Sequence, residues 1–432
     1  MGIEILLLLV LSAFSVYFLF VQRKHPNYPP CIRGWIPWFG AAFQFGKAPL
    51  DFLAQARAKY GPVFTIAAAG KRLTFVTLHE DFNTFFMSKD VDFQQAVQDP
   101  VQRTASISKE SFFKNHPACH ALIKGRLTRS NLHEVSSDLC AEFNEHLELL
   151  TDEGAGDLSD LVRHVMYPAV MSNLLGKCNS PASKAAVQEF TEQFQTYDEG
   201  FEYGSQLPEL FLRKWAKAKQ WLLSLMKSMV LKAKRNTSPD TNSKITFWTL
   251  GFIISQPSVY RTVMEEIASS FGDKDKTKSI LSESELQQLP YIQWCVLEAI
   301  RLRSPGTITR KVVRPIKIQN YIIPPGDMLM LSPFWAHRDP RYFPEPEKFM
   351  PERWKKANLE KNVFLEGFVA FGGGRYQCPG RWYALMEIQM FIGLILYKYE
   401  LTLLDSLPKP SSRHLVGTQQ PDGPCRVQYN HR

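Results

Sequence analysis

The chain has 432 residues, 45% of them hydrophobic, and 51 lysines and arginines against 42 acids give it a formal charge of +9. That length suits one large globular unit or two smaller ones, and no internal repeat divides it. The basic residues are scattered and no nucleic-acid motif accompanies them, which leaves an acidic lipid surface or an acidic protein as partner; seven cysteines without metal-finger or scaffold spacing exclude a disulfide framework and point to a reducing compartment.

Residues Ile5 to Gln22 hold no charge and are mostly Leu, Val, Phe and Ile. Eighteen helical residues span about 27 Å, near the thickness of a hydrocarbon core. Arg23-Lys24 follow directly, which puts the C-terminal side in the cytoplasm. A cleaved signal peptide would carry its basic residues ahead of the apolar run, not after it. The expectation is a transmembrane signal-anchor over residues 1–24, in the endoplasmic reticulum membrane. Prolines 26, 29, 30 and 37 then make a hinge. Phe52–Tyr60 reads as a short amphipathic helix stopped by Gly61-Pro62. Val63–Ala68 and Leu73–Thr77 read as paired strands around Gly70.

A long helical region follows. Phe190 to Leu231 predicts two helices around Gly204 and Pro208, rich in Leu and Trp. Core packing accounts for that content; a second membrane contact is the sharper alternative. A polar run, Lys232 to Lys244, comes next, then apolar helical sequence from Ile245 that Pro257 interrupts. Tyr291 to Leu302 predicts a helix that is apolar at Ile292, Val296, Leu297 and Ile300. Glu298 and Arg301 share one of its faces. Ile308 to Ile323 reads as strands, and Pro333–Pro340 ends in a turn, where His337 is taken as structural. Cys140 and Cys295 are read as packing residues.

Phe371 to Gly380, FGGGRYQCPG, is the stretch richest in chemistry. Its glycines admit turns closed to other residues and the close approach of a flat ligand. An apolar helix is predicted from Arg381 to Tyr399, so Cys378 sits just ahead of a helix N-terminus. Unpaired amides and the positive end of the helix dipole meet there and favour thiolate over thiol. Such a thiolate is a good axial ligand for haem iron.

This loop resembles the haem-binding loop of the cytochrome P-450 superfamily, Phe-x-x-Gly-x-(Arg/His)-x-Cys-x-Gly, at Phe371, Gly374, Cys378 and Gly380. Tyr376 stands where the family has Arg or His for a haem propionate, with Arg375 or Arg381 as substitutes. The resemblance runs from the anchor to the C-terminus, and LEAIRLRSPGTITRKVVRP (297–315) and PERWKKANLEK (351–361) place it nearest the oxysterol 7α-hydroxylase branch. It implies a mainly α fold with small β-sheets and one haem-thiolate catalytic domain over residues 25–432. It also implies thiolate-ligated haem b, dioxygen, an NADPH-dependent cytochrome reductase and hydroxylation of an oxysterol.

Residue by residue, the resemblance assigns Cys378 to the iron and Glu298, Arg301 and Arg353 to a buried charged network that holds the Cys378 loop. Arg310 stands at a position whose arginine reaches a propionate. Gln98–Ile107 falls in the loop capping the substrate cavity, and His116–Leu132 in the helix crossing the haem edge, with Lys124 and Arg126 as weak propionate candidates. Lys355, Lys356, Arg375 and Arg381 form a docking face for an acidic reductase, or plain solvated charge. The family's long distal helix, with its oxygen-handling turn, is not found. Ile245–Ser255 would span only about 16 Å, against a radius of gyration of roughly 21 Å for a domain of this size. FWTLGFIISQP (247–257) resembles that helix's tail, so an in-frame deletion around 232–247 is inferred. A non-catalytic haem-binding variant and a haem-thiolate isomerase or dehydratase are the competing functions.

Overall fold

The computed structural model describes residues 4, 6–12, 25–34, 36, 38–176, 183–232, 242–272, 285, 288–359 and 364–432. They are mainly helical, with three small sheets. Residues 4 and 6–12 are helical and exposed. The rest of the expected anchor, residues 1–3, 5 and 13–24, lies outside the described residues, and among those described no helix is long and apolar enough to cross a membrane.

Two compact units are distinguished. The first comprises Met1–Val97, Gly306–Ala336 and Ser412–Leu415. Its six-stranded sheet pairs Val63–Ala68 antiparallel with Lys71–Val76, which in turn runs parallel to Met328–Leu331. Ala69 and Gly70, at φ 50° and 74°, make the two-residue turn between the first pair. Two successive positive φ values match the twist of the flanking strands. The expected helix is present as Pro49–Tyr60, and Gly61 ends it at φ 87°. Leu50, Leu53 and Ala56 from that helix pack on Phe64, Ile66 and Phe75 of the sheet. The Ile308–Val312 strand, which carries Arg310, pairs antiparallel with Met328–Leu331.

The second unit comprises Gln98–Pro305, His337–Ser411 and Val416–Arg432. Its core is built around three helices, Ser243–Ser255, Pro290–Arg303 and Arg381–Lys398. All three are apolar on more than one face, the pattern of a helix enclosed by others. Ser243–Ser255 has 13 residues, about 20 Å of helix. Pro257 opens the following helix, Pro257–Phe271, at a position where its missing N–H costs nothing.

Three expectations need correction. Gln98–Ile107 is not a loop: the helix Phe93–Ala105 covers most of it, with Pro100 inside. The Asp92 carboxylate accepts from the Gln95 amide at its start, a local cap that offsets the proline. His116–Leu132 is not one helix. Lys109–Arg126 ends at Leu127, and a separate turn, Arg129–Asn131, follows. Phe190–Leu231 holds more than two helices, because Gly200 and Pro208 break it into Lys184–Glu199, Phe201–Gln206, a short turn at Glu209–Phe211, and Arg213–Lys232.

Candidate functional site: a cysteine loop tied to a buried ion network

The Pro290–Arg303 helix places Glu298 and Arg301 one turn apart, and both side chains are fully buried. Arg301 donates through Nε to Glu298 Oε2 at 2.9 Å and through a terminal nitrogen to Oε1 at 2.8 Å. The Arg353 Nε donates to the same Oε1 at 2.9 Å. Spacing paired Glu298 with Arg301 and the family resemblance added Arg353, and the structure brings the three together. It adds two donors that spacing did not reveal, the Trp354 indole at 3.0 Å and the Met350 amide at 3.0 Å. Five N–H donors on one carboxylate offset the desolvation of a buried charge.

The network reaches the cysteine loop through His337. Arg301 donates to the His337 carbonyl at 2.6 Å and to the Pro346 carbonyl at 2.7 Å. The His337 ring is wholly buried and stacks on Phe368 at 5.1 Å. Its Nε2 accepts from the Val369 amide at 3.1 Å, which places the ring proton on Nδ1. The Gly372 amide then donates to the Val369 carbonyl at 2.9 Å, and the Cys378 amide to the Phe371 carbonyl at 2.8 Å. An unbroken run of hydrogen bonds and covalent links joins Glu298 to Cys378. His337 is therefore structural, as expected, and specifically a tie.

Cys378 is half-buried and free of any disulfide. It stands two residues before the N-cap, Gly380, of the 18-residue Arg381–Lys398 helix. Gly372 and Gly374 sit at φ 70° and 63°, a conformation that admits glycine freely and other residues at a cost. Arg381 donates to the Cys378 carbonyl at 2.9 Å. Burial lowers the Arg381 pKa, and Cys378 beside it opposes that shift. Arg375 is exposed, with its guanidinium 5.6 Å from the centre of the Tyr376 ring. Lys355 and Lys356 are exposed, and Lys356 borders a cleft of about 500 Å³ with Arg129, Trp294 and Trp382. Cys140 and Cys295 are buried and form no disulfide, as packing residues should.

In the first unit, Arg310 is buried with its guanidinium 5.3 Å from the Phe85 ring centre and 4.9 Å from that of Phe93. One terminal nitrogen donates to the Thr309 carbonyl at 2.8 Å.

The donor set fits a thiolate-ligated porphyrin. It offers a half-buried cysteine in glycine-rich backbone just ahead of a helix N-terminus, and, with its ring centre 6.0 Å from that of Tyr376 in the same loop, a His120 whose buried Nε2 has no hydrogen-bond partner among the described residues. The sequence model of the cytochrome P450 family matches residues 29–244 and 236–426.

The chain belongs to the cytochrome P450 family.

Membership makes it an oxidoreductase of the monooxygenase class with a haem cofactor. The chain is 51% identical to the mouse 24-hydroxycholesterol 7-alpha-hydroxylase and 49% to the human one, over 96% of each chain. It is 24% identical to the human 7-alpha-hydroxycholest-4-en-3-one 12-alpha-hydroxylase, over 98% of this chain and 97% of that one. The comparison with the mouse relative runs over 451 residues, whereas 96% of 432 is about 415. About 36 positions of the relative therefore have no counterpart here. The two stretches matched by this P450 model meet at residues 236–244, where the polar run lies.

Proposed function

We propose that this P450 is a membrane-anchored haem-thiolate monooxygenase that hydroxylates an oxysterol, with 24-hydroxycholesterol attacked at the 7α position as its reaction. The identity of 51% over nearly the whole chain to a hydroxylase of that name carries the reading. In it, Cys378 holds the iron of haem b, and Phe371, Gly374 and Gly380 shape the loop against the porphyrin. Arg310, Arg375 and Arg381 serve its carboxylates. Glu298, Arg301 and Arg353 keep the loop in place through His337. Haem b, when bound, supplies the iron at which dioxygen is activated with electrons from an NADPH-dependent cytochrome reductase. Lys355 and Lys356, with Arg375, present positive charge to an acidic partner of that kind. The apolar run from Ile5 to Gln22 supports anchoring in the endoplasmic reticulum with residues 25–432 on the cytoplasmic side.

Expression in microsomes with a reductase and 24-hydroxycholesterol tests the reading. A thiolate-type carbon monoxide difference spectrum and a 7α-hydroxylated product are expected. Absence of haem from the purified chain would overturn it.

A second reading concerns efficiency, and the unmatched positions of about 36 residues favour it. In this reading they belong just upstream of Ser243–Ser255, near the overlap of the two matched stretches at residues 236–244, where the family's distal helix would order the oxygen side of the site. With it shortened, water reaches the iron more freely and proton delivery is less controlled. The chain then turns over with poor coupling. An insertion of the relative's segment between residues 232 and 247 is expected to restore coupling.

A further inference from the structure

The family pattern places an Arg or His in the cysteine loop where this chain has Tyr376, and a Trp on the helix where this chain, over Lys109–Arg126, has none. Lys124 and Arg126, the cations of that helix nearest in sequence, are both exposed, as solvated charges are. The structure offers a different group. His116 and His120 lie four residues apart on Lys109–Arg126 and so share a face. The short turn Gly374–Tyr376 brings the Tyr376 ring to that face. The ring centres form a nearly equilateral triangle: 6.0 Å between the histidines, 6.3 Å from His116 to Tyr376, and 6.0 Å from His120 to Tyr376.

Aromatic packing alone would account for the triangle, but not for one of its polar atoms. The His120 Nε2 is buried and has no hydrogen-bond partner among the described residues. Buried polar side-chain atoms are nearly always paired in native proteins, so one left over marks a place where something else binds. Burial and the neighbouring His120 both lower the His116 pKa, so positive charge is disfavoured there until an anion arrives. A metal ion is the poorer fit, since among the described residues no group of three or more His, Cys, Asp or Glu side chains could hold one.

The geometry points to a carboxylate seat: His116, His120 and Tyr376 together receive one propionate of the haem, in place of the arginine contacts of the family pattern. This rests on the haem-thiolate reading above. Two imidazole N–H groups and a phenol O–H offer three donors to one carboxylate, and hydrogen bonds to an ionised acceptor are the strong kind. Tyr376 lies two residues before Cys378, so the seat and the sulfur belong to one loop and are set together.

The test compares haem b with its dimethyl ester, whose propionates cannot ionise, in the full chain. Transfer of each porphyrin to apomyoglobin is followed by the Soret band. In the His116→Ala/His120→Ala variant, loss of haem b is expected to quicken by about tenfold or more, while loss of the ester changes less than about twofold. His120→Gln keeps an N–H donor near the Nε2 position and is expected to hold haem b within about threefold of the parent. Tyr376→Phe, which keeps the ring and removes only the hydroxyl, is expected to fall between. Equal acceleration for haem b and its ester would overturn the seat, because a merely structural role is blind to the carboxylate; so would an unchanged rate for haem b. Failure of the parent chain to take up either porphyrin would instead sink the haem-thiolate reading itself. If the double variant does not fold, His120→Gln and Tyr376→Phe carry the comparison.

Discussion

At the scale of single residues, the proposed chemistry rests on Cys378 and the energetics on a few buried acids. Cys378→Ala removes the only thiol of the loop; the expected outcome is haem without the thiolate-type carbon monoxide spectrum, or no haem at all. Glu266 gives a separate pH signature. From Pro257–Phe271 it accepts the amides of Tyr291 at 2.7 Å and Ile292 at 3.0 Å, so it caps the Pro290–Arg303 helix from outside. Burial pushes its pKa up from 4.5 to about 7, against the opposing pull of those two amides. A carboxyl whose folded pKa is raised favours the folded state at low pH. That contribution is complete below about 4.5 and is lost as pH rises through about 7. The thermal midpoint is expected to fall across that window, and Glu266→Gln to flatten this part of the profile. If the Glu266→Gln variant kept the parent's slope, another group would be setting it.

At the scale of elements, one helix and two loops act as a unit. Arg301→Ala would leave the Glu298 carboxylate buried and short of two donors. Breaking a buried pair on one side costs about 3–5 kcal/mol, far above the ~0–1 kcal/mol of exposed pairs such as Arg426 with Asp405. Chemical denaturation should show a midpoint shift of that size. His337→Ala removes the ring acceptor of the Val369 amide but leaves Glu298 and Arg301 paired. Hydrogen exchange at Val369 and Cys378 is then expected to rise about tenfold or more, with the middle of Pro290–Arg303 unchanged. Equal protection in variant and parent would mean that the loop does not depend on this tie.

At the scale of the whole molecule, the proposed shortening upstream of Ser243–Ser255 makes a prediction about efficiency. With reductase and oxysterol present, NADPH consumption is expected to exceed hydroxylated product several-fold, with the balance recovered as hydrogen peroxide. Tight coupling, one product per NADPH, would show that the roof over the iron is made by other residues.

Much of this was legible in one dimension. The cysteine loop and the Glu298–Arg301 pair are local motifs, and a helix period or a run of glycines announces itself in any context; Arg353, 55 positions from Glu298, came only with the family resemblance. The hairpin at Ala69-Gly70 and the helix ends at Gly61 and Pro257 follow from backbone chemistry that neighbours do not change. Long-range partners were not legible. Trp354 on Glu298, His337 against Val369, and His116 and His120 beside Tyr376 join residues 56, 32, 260 and 256 positions apart. The helix over Phe93–Ala105 was missed because Pro100 argues against it locally and the Asp92 cap argues for it only once formed. Sequence determined which residues can ligate, pair and turn, because those capacities reside in each side chain and its nearest neighbours. Which of them meet was decided by tertiary packing alone, since burial brings together groups whose separation along the chain carries no information about their contact.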